Sequence, residues 1–321
     1  MKNVHIFAPP YADNVAFIPA AFLWLKTYYE HRGKNVDHYN WITPLIKWTT
    51  DDLWQQIEDN PPDVWAFGGY IWNIKLCYSL AKRIKQHFPN CLIVAGGPQP
   101  EYKHDKEYFK KHPYIDLVVP ADGEIPFTEI LDAYIDNTSF NEVNDIIIPT
   151  NNGWTKSNNT FNVKDFTWPA SVISSQLDVI KEWIRIFDGK RILFLYESSR
   201  GCPYKCVFCD WGGGIHTKTR QKPIEMVLDD MKLLSDLKVD RIHFSDANFG
   251  LFERDIDIAK YVCEVSKSGY PKQVTWFQPK NNKFRAAELS ILFANAGLTH
   301  HYLIDLQDFN KDILNNIDRI E

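Results

Sequence analysis

Glu197-Ser-Ser-Arg-Gly-Cys202-Pro-Tyr-Lys-Cys206-Val-Phe-Cys209-Asp-Trp-Gly-Gly-Gly214 follows an apolar, strand-like run, Ile192 to Tyr196, and spaces its three cysteines C-x3-C-x2-C. Three thiolates on one loop suit a metal. A structural zinc ion takes four ligands, and the nearest further donors, His216 and the remote Cys263, complete no common zinc spacing. Iron–sulfur clusters are held by cysteine thiolates, and a four-iron cluster with only three of them keeps one iron open to an outside ligand. The plain alternative is three packing cysteines or a degenerate metal knuckle. Against it, Arg200-Gly201 before the cysteines and Gly212-Gly213-Gly214 after them make a flexible loop that can hug a cofactor.

The 321 residues suffice for about two domains, each with its own core. Hydrophobic content of 45% and charged content of 24% are those of an ordinary globular protein, whereas 14% aromatic residues is high. A net charge of -5 gives no reason to expect a nucleic acid or an anionic membrane as partner. The longest uncharged apolar stretch, Asn14 to Leu25, contains a proline and is too short to cross a bilayer, so no transmembrane helix is expected. The amino terminus runs directly into a strand without a signal-peptide core. A cytoplasmic location follows, and cysteines clustered as metal ligands rather than disulfides agree with it. Cys77, Cys91 and Cys263 sit among apolar neighbours and read as buried free thiols.

From the start, apolar runs alternate with helix-period segments: Val4–Ala8 then Pro19–Glu30, Val36–Trp41 then Thr50–Asp59, Val64–Phe67 then Lys75–Phe88, Leu92–Ala95 then Lys103–Lys111, Leu117–Val119 then Pro126–Ile135. Such alternation predicts a parallel sheet with helices on both faces. Ligands of a doubly wound sheet bind outside the carboxyl ends of its strands. There the sequence places Pro9-Pro10-Tyr11, Gly68-Gly69-Tyr70-Ile71-Trp72-Asn73, Gly96-Gly97-Pro98 and Asp122-Gly123-Glu124. Glycine lets a backbone approach a ligand closely, and several such loops predict an open crevice for a large flat cofactor.

Residues Thr138 to Lys164 are rich in Asn, Ser and Thr and read as a boundary, with Ile146–Ile148 and Phe161–Val163 flanking Asn151-Asn152-Gly153 as a small hairpin. The expected division is 1–138, a linker with hairpin and helix (Val172–Phe187) over 139–190, and 191–321. Past the cysteines, helices at Ile224–Leu237, Arg254–Ser266, Phe284–Asn295 and Lys311–Ile320 alternate with strands at Arg241–Phe244, Gln273–Phe277 and His300–Leu306. A (β/α) barrel places its active site at the carboxyl ends of such strands.

The cysteine spacing, with Phe208 before the last cysteine, resembles the radical S-adenosylmethionine superfamily. The loops Gly68–Asn73, Gly96–Pro98 and Asp122–Glu124 upstream of it resemble the cobalamin-binding domain of cobalamin-dependent members. The fold implied is α/β: a doubly wound, Rossmann-like cobalamin-binding domain followed by a partial (β/α) radical SAM barrel. The implied cofactors are a 4Fe-4S cluster on Cys202, Cys206 and Cys209, S-adenosylmethionine at Phe208, Asp246, Lys280 and Gln307, and cobalamin at Pro10, Gly68, Gly69, Tyr70, Trp72, Gly96, Gly97, Pro98, Gly123 and Glu124. Asp246 resembles the acidic residue that pairs with the cofactor's amino group; an ordinary turn or cap aspartate is its other reading. Lys280 reads equally as a surface lysine. No Asp-x-His-x-x-Gly sequence occurs, so the resemblance supplies no histidine ligand for the lower face of cobalt.

The implied chemistry is a methyl transfer to an unactivated carbon through a 5′-deoxyadenosyl radical and methylcobalamin. A cobalamin-assisted cyclisation or rearrangement, or a non-catalytic corrinoid-binding iron–sulfur protein, is the alternative. No catalytic side chain is singled out. An external electron donor and a small-molecule or peptide substrate are the expected partners. Only four barrel strands are found from Ile192 on, which leads to the expectation that a further carboxyl-terminal region or a partner completes the barrel, since a bare strand edge invites pairing.

Overall fold

Strands buried on both faces of a parallel sheet read as unbroken apolar runs rather than alternating ones, and the first half of this chain is built on them. The computed structural model describes residues 1–7, 15–46, 48–162, 166–187, 190–204, 206–209, 218–277, 283–300 and 307–317. The chain forms two units, Met1–Tyr11 with Pro19–Val172, and Ala12–Ile18 with Ile173–Glu321.

In chain order the elements that build the first unit's sheet are β1 (Lys2–Phe7), β3 (Tyr39–Ile42), β4 (Val64–Gly68), β5 (Leu92–Gly96), β6 (Leu117–Val118), β7 (Ile147–Thr150) and β8 (Gly153–Lys156). They lie in the order β3-β1-β4-β5-β6-β7-β8. The first five are parallel, as the alternation predicts. The chain steps from β1 outward to β3 and then back across to β4, so the topological switch point falls between β1 and β4. Trp65, Phe67, Ile93 and Ala95 pack against Cys77, Ala81 and Ile84 in the core.

Helices α1 (Ala20–Arg32), α2 (Thr50–Asp59), α3 (Ile74–His87), α4 (Tyr108–Lys111) and α5 (Glu124–Asp136) fall between these strands. A capping box of Thr49 and Asp52 starts α2, and Asn137 at φ 53° ends α5 in the left-handed conformation that Asn tolerates. The helix expected over Lys103–Lys111 is cut to its last turn, because Oδ1 of Asp105 accepts the Glu107 N–H at 2.8 Å and forms a local turn instead.

The boundary expected at residue 138 moves. The hairpin β7-β8 extends the first sheet through the bridge Val118↔Ile147, so residues up to Val172 belong with the first unit rather than with a linker. Its second arm is Gly153–Lys156, not Phe161–Val163. Gly153 holds φ 124°, and a Cβ there would sit 2.6 Å from the Lys106 carbonyl oxygen.

The second unit is a four-stranded parallel sheet in the order β13-β12-β9-β2. Its strands are β2 (Val15–Phe17), β9 (Arg191–Tyr196), β12 (Arg241–Phe244) and β13 (Gln273–Trp276). The short β2, unforeseen in the sequence, pairs with β9 through Val15↔Arg191 to Phe17↔Leu193. The expected helix Val172–Phe187 is two pieces, α6 (Val172–Ser175) and α7 (Leu177–Ile186). Downstream, α8 (Ile224–Asp236), α9 (Arg254–Val265), α10 (Lys283–Asn295) and α11 (Lys311–Asn316) alternate with the strands. The strand expected at His300–Leu306 lies, apart from His300, outside the described residues.

Candidate functional site

The cysteine loop begins where β9 ends and is closed at its base by a two-residue antiparallel ribbon, β10 (Ser199–Arg200) against β11 (Arg220–Gln221), paired Ser199↔Gln221 and Arg200↔Arg220. Gly201 follows at φ 95°, a left-handed turn that L side chains rarely adopt, and delivers the chain to Cys202. Cys202 and Cys206 are buried, Cys209 is half-buried, and none of the six cysteines is in a disulfide. The Cys209 N–H donates to the Cys206 carbonyl at 3.1 Å, and the Val207 N–H to the Ile317 carbonyl, just past α11, at 3.2 Å.

The base of the loop is anchored by charge. Arg200 and Glu197 form an ion pair at 2.8 Å, both largely buried. Burial pushes the Glu197 carboxyl up, with Arg200 opposing. The guanidinium of Arg254 donates to the Ser198 carbonyl at 3.0 Å and also to the Lys222 carbonyl. Lys222 is itself buried, its ammonium 4.3 Å from the Tyr196 ring centre, and desolvation lowers its pKa. The Tyr196 hydroxyl donates to Asp230 at 2.7 Å.

Asp246, at the carboxyl end of β12, is 1% exposed and accepts from the backbone N–H groups of Ser198 and Ser199 at 3.0 and 2.6 Å and from their hydroxyls at 2.6 and 2.7 Å. Three of these four donors fall on Oδ1 and one on Oδ2, so the carboxylate fastens β12 to the start of the cysteine loop. Burial raises its pKa, and the four serine donors oppose the shift.

Two residues on, Nδ2 of Asn248 donates to Sγ of Cys202 at 3.2 Å. The chain on either side of Asn248 is fixed: Phe249 stacks on Phe244 with centroids 4.0 Å apart, its N–H donates to the Phe277 carbonyl, and the Gly250 N–H donates to Asp255 at 2.8 Å. Phe208 is 48% exposed, and Gln307 is exposed before α11. Pro10 and Lys280 lie outside the described residues. The sequence reading missed Ser198, Ser199, Lys222, Asn248 and Arg254; a serine pair just ahead of the cysteines, facing a carboxylate at the next strand end, was the signal available.

Among the described residues no three His, Cys, Asp or Glu side chains converge as ligands of a single metal ion do. In a four-iron cluster each thiolate binds its own iron, and Cys202, with the Asn248 N–H directed at its sulfur, suits such a ligand.

In the first unit the parallel register brings the loops after β4, β5 and β6 to one edge. Two of them interlock: the Gly69 N–H donates to the Gly96 carbonyl at 2.8 Å, and the Gln99 N–H to the Gly69 carbonyl at 3.1 Å. A Cβ on Gly97, which holds φ 83°, would lie 2.6 Å from the Gly69 carbonyl oxygen. The glycines thus let these two loops pack backbone against backbone. Asn73 shapes the next turn, accepting the Tyr70 N–H at 2.7 Å and donating to the Gly68 carbonyl at 3.0 Å. The rings of Tyr70 and Trp72 stack at 4.8 Å and 7°, and with Ile71 they stay exposed. Pro98 is exposed and Gly123 half-buried, whereas Glu124 is buried at the first turn of α5. An exposed ring pair beside tight backbone turns fits a broad, flat ring system.

The family description B12 binding domain matches residues 15–131, and Radical SAM superfamily matches residues 196–321. The chain is 29% identical over 94% of its length to the cobalamin-dependent radical SAM methyltransferase TokK of Streptomyces tokunonensis, of which it covers 44%. It is 28% identical over 95% of its length to the 2-(S-pantetheinyl)-carbapenam-3-carboxylate methyltransferase of Streptantibioticus cattleyicolor, covering 45%. The chain thus spans less than half the length of these two relatives. Among solved structures, the radical S-adenosylmethionine methyltransferase TsrM from Kitasatospora setae, with cobalamin and a 4Fe-4S cluster bound, superposes with a TM-score of 0.66 at 15% identity, over 92% of this chain and 57% of that one. The cobalamin-dependent S-adenosylmethionine radical enzyme OxsB with aqua-cobalamin bound gives 0.65 at 17% identity, over 99% of this chain and 46% of that one. With a B12-binding domain matched ahead of a radical SAM domain, the chain belongs to the cobalamin-dependent radical S-adenosylmethionine enzyme family.

Proposed function

We propose that this chain acts as a cobalamin-dependent radical S-adenosylmethionine methyltransferase on an unactivated carbon of a small molecule or peptide, drawing electrons from an external donor. The observation that carries the reading is the cysteine loop, three thiols presented by a ribbon-closed turn that β9, Asp246 and Arg254 hold in place. The names of the two relatives support methyl transfer over cyclisation or rearrangement. Six cysteines without a disulfide suit a reducing compartment, the cytoplasm. Among the described residues no helix is long and apolar enough to cross a membrane.

Cys202, Cys206 and Cys209 would hold the cluster and leave one iron for S-adenosylmethionine, with Phe208 and Gln307 at its margin. Gly68, Gly69, Tyr70, Trp72, Gly96, Gly97, Pro98, Gly123 and Glu124 border the edge that would hold cobalamin, with Tyr70 and Trp72 offering the flat contact. Bound, these groups supply one-electron cleavage of a carbon–sulfur bond and carriage of a methyl group. The protein's share is placement and exclusion of water. Gly201 and the Ser198–Ser199 turn set the direction of the cysteine loop, and Glu197–Arg200 closes its base without adding net charge.

The test is anaerobic reconstitution followed by S-adenosylmethionine and a strong reductant. Formation of 5′-deoxyadenosine together with cobalamin uptake supports the reading, and a protein that takes up four irons but forms none would be the non-catalytic alternative.

A further inference from the structure

We infer that Asn248 is a positioning residue for the cluster, its side-chain amide donating an N–H to the Cys202 thiolate and thereby setting the cluster's reduction potential. The inference rests on the cysteine loop holding a cluster, and goes beyond it by naming a residue that is not a ligand. Asn248 is 4% exposed and Cys202 2%, and their Nδ2···Sγ distance is 3.2 Å. A hydrogen bond kept from water in this way is stronger than an exposed one.

The placement is built rather than incidental. Asp246 is fastened to Ser198 and Ser199 on one side of Asn248, and Gly250 to Asp255 on the other, so the backbone fixes the direction of the side chain. Oδ1 of Asn248 is buried and finds no hydrogen-bond partner among the described residues. Burying an unpaired carbonyl oxygen is unfavourable, and an apolar residue of the same size would avoid it. The amide is therefore useful through its nitrogen. A ligating thiolate has no proton to give, so only the N–H orientation is attractive once metal is bound.

Hydrogen bonds to the sulfurs of an iron–sulfur cluster help set its potential, and a donor on the thiolate favours the more negative, reduced state. Asn248→Leu and the isosteric Asn248→Asp should keep full iron content while the midpoint potential falls. A tenfold change in the reduction equilibrium corresponds to about 59 mV for one electron. The companion measurement uses the unaltered chain with 15N-labelled asparagine, reduced and examined by pulsed electron paramagnetic resonance. A 15N coupling that disappears in Asn248→Leu is expected. A wild-type cluster without that coupling, or a variant with full iron and an unshifted potential, overturns the inference alone. Failure of the wild-type chain to take up iron overturns the cluster reading itself, and this inference with it.

Discussion

The backbone N–H of Ser199 donates to Oδ1 of Asp246 at 2.6 Å, tying the end of β12 to the residue three places ahead of Cys202. This one carboxylate accepts from the backbone and hydroxyl of both serines. Asp246→Asn turns an amide against some of these donors and leaves buried groups unpaired, at about 1–3 kcal/mol. The expected outcome is a lower melting temperature and less iron per chain after reconstitution. Full iron content with unchanged melting would show that Asp246 does not fasten the loop.

Alanine at Cys202, Cys206 or Cys209 should each abolish the brown chromophore. Alanine at Cys77 or Cys91 should leave it, because burial pushes both thiols up to about 12 and the ligand form is the thiolate. Absorption spectra and iron assays of the five variants decide this. Equal loss in Cys77→Ala would end the three-cysteine assignment.

Gly97→Ala and Gly69→Ala should differ. At Gly97 both the φ of 83° and the Gly69 backbone 2.6 Å away resist a Cβ. The left-handed conformation alone costs about 1–2 kcal/mol. At Gly69 the near atom is Cδ1 of Ile74, the far end of a side chain that can turn aside. Urea unfolding of the cobalamin-free protein should rank Gly97→Ala well below Gly69→Ala, and an equal loss would show that the loops do not interlock.

Tyr70 and Trp72 expose 42% and 55% of their surface. Removing both rings should leave stability within about 1 kcal/mol of wild type. Cobalamin affinity should fall roughly tenfold, the loss of about 1.4 kcal/mol of stacking. Absorption titration measures it, and unchanged affinity moves the corrinoid elsewhere.

Acid acts in opposite senses on two buried groups. Nε2 of His5 donates to the Asn60 carbonyl at 2.7 Å, and burial lowers its pKa from 6.5 to about 4. Its contribution to stability is whole above pH 6.5 and is lost as pH falls towards 4. Burial raises Asp255 from 3.8 to about 6, so its contribution is whole below 3.8 and is lost as pH rises through 6. Each amounts to about 3 kcal/mol at most. Hydrogen exchange at pH 7 and 5, compared between wild type and each of His5→Gln and Asp255→Asn, should show β1 losing its acid sensitivity in the first variant and α9 its sensitivity to rising pH in the second. Identical differences at both pH values would refute the assignments.

Much of the scaffold was legible. Val64–Phe67 and Leu92–Ala95 are apolar without alternation, and only a doubly covered parallel strand buries every residue of such a run. The helix expected over Thr50–Asp59 begins where expected, under a capping box of Thr49 and Asp52. Three residues of β2 carry no period, and their partner β9 is remote in the chain, so nothing local marks them as a strand. The cysteines could be singled out because their spacing lies within one stretch of the chain. Asp246 could be singled out, but a sequence shows a carboxylate at a strand end and not the two serines that donate to it. Asn248 could not be read at all: its meaning is a 3.2 Å approach to Cys202 across the fold.

Val15–Phe17 pairs with a strand that begins only at Arg191. On a ribosome adding about 5–20 residues per second, β2 emerges on the order of ten seconds before β9 exists to receive it. During that interval the apolar segment is held by the nascent chain with no sheet to join, while the residues after it can already begin to form the first unit. Cutting the gene after Val172 would yield two products, neither of them a whole unit: one carrying a strand without its sheet, the other a β9 whose outer hydrogen-bonding groups are bare.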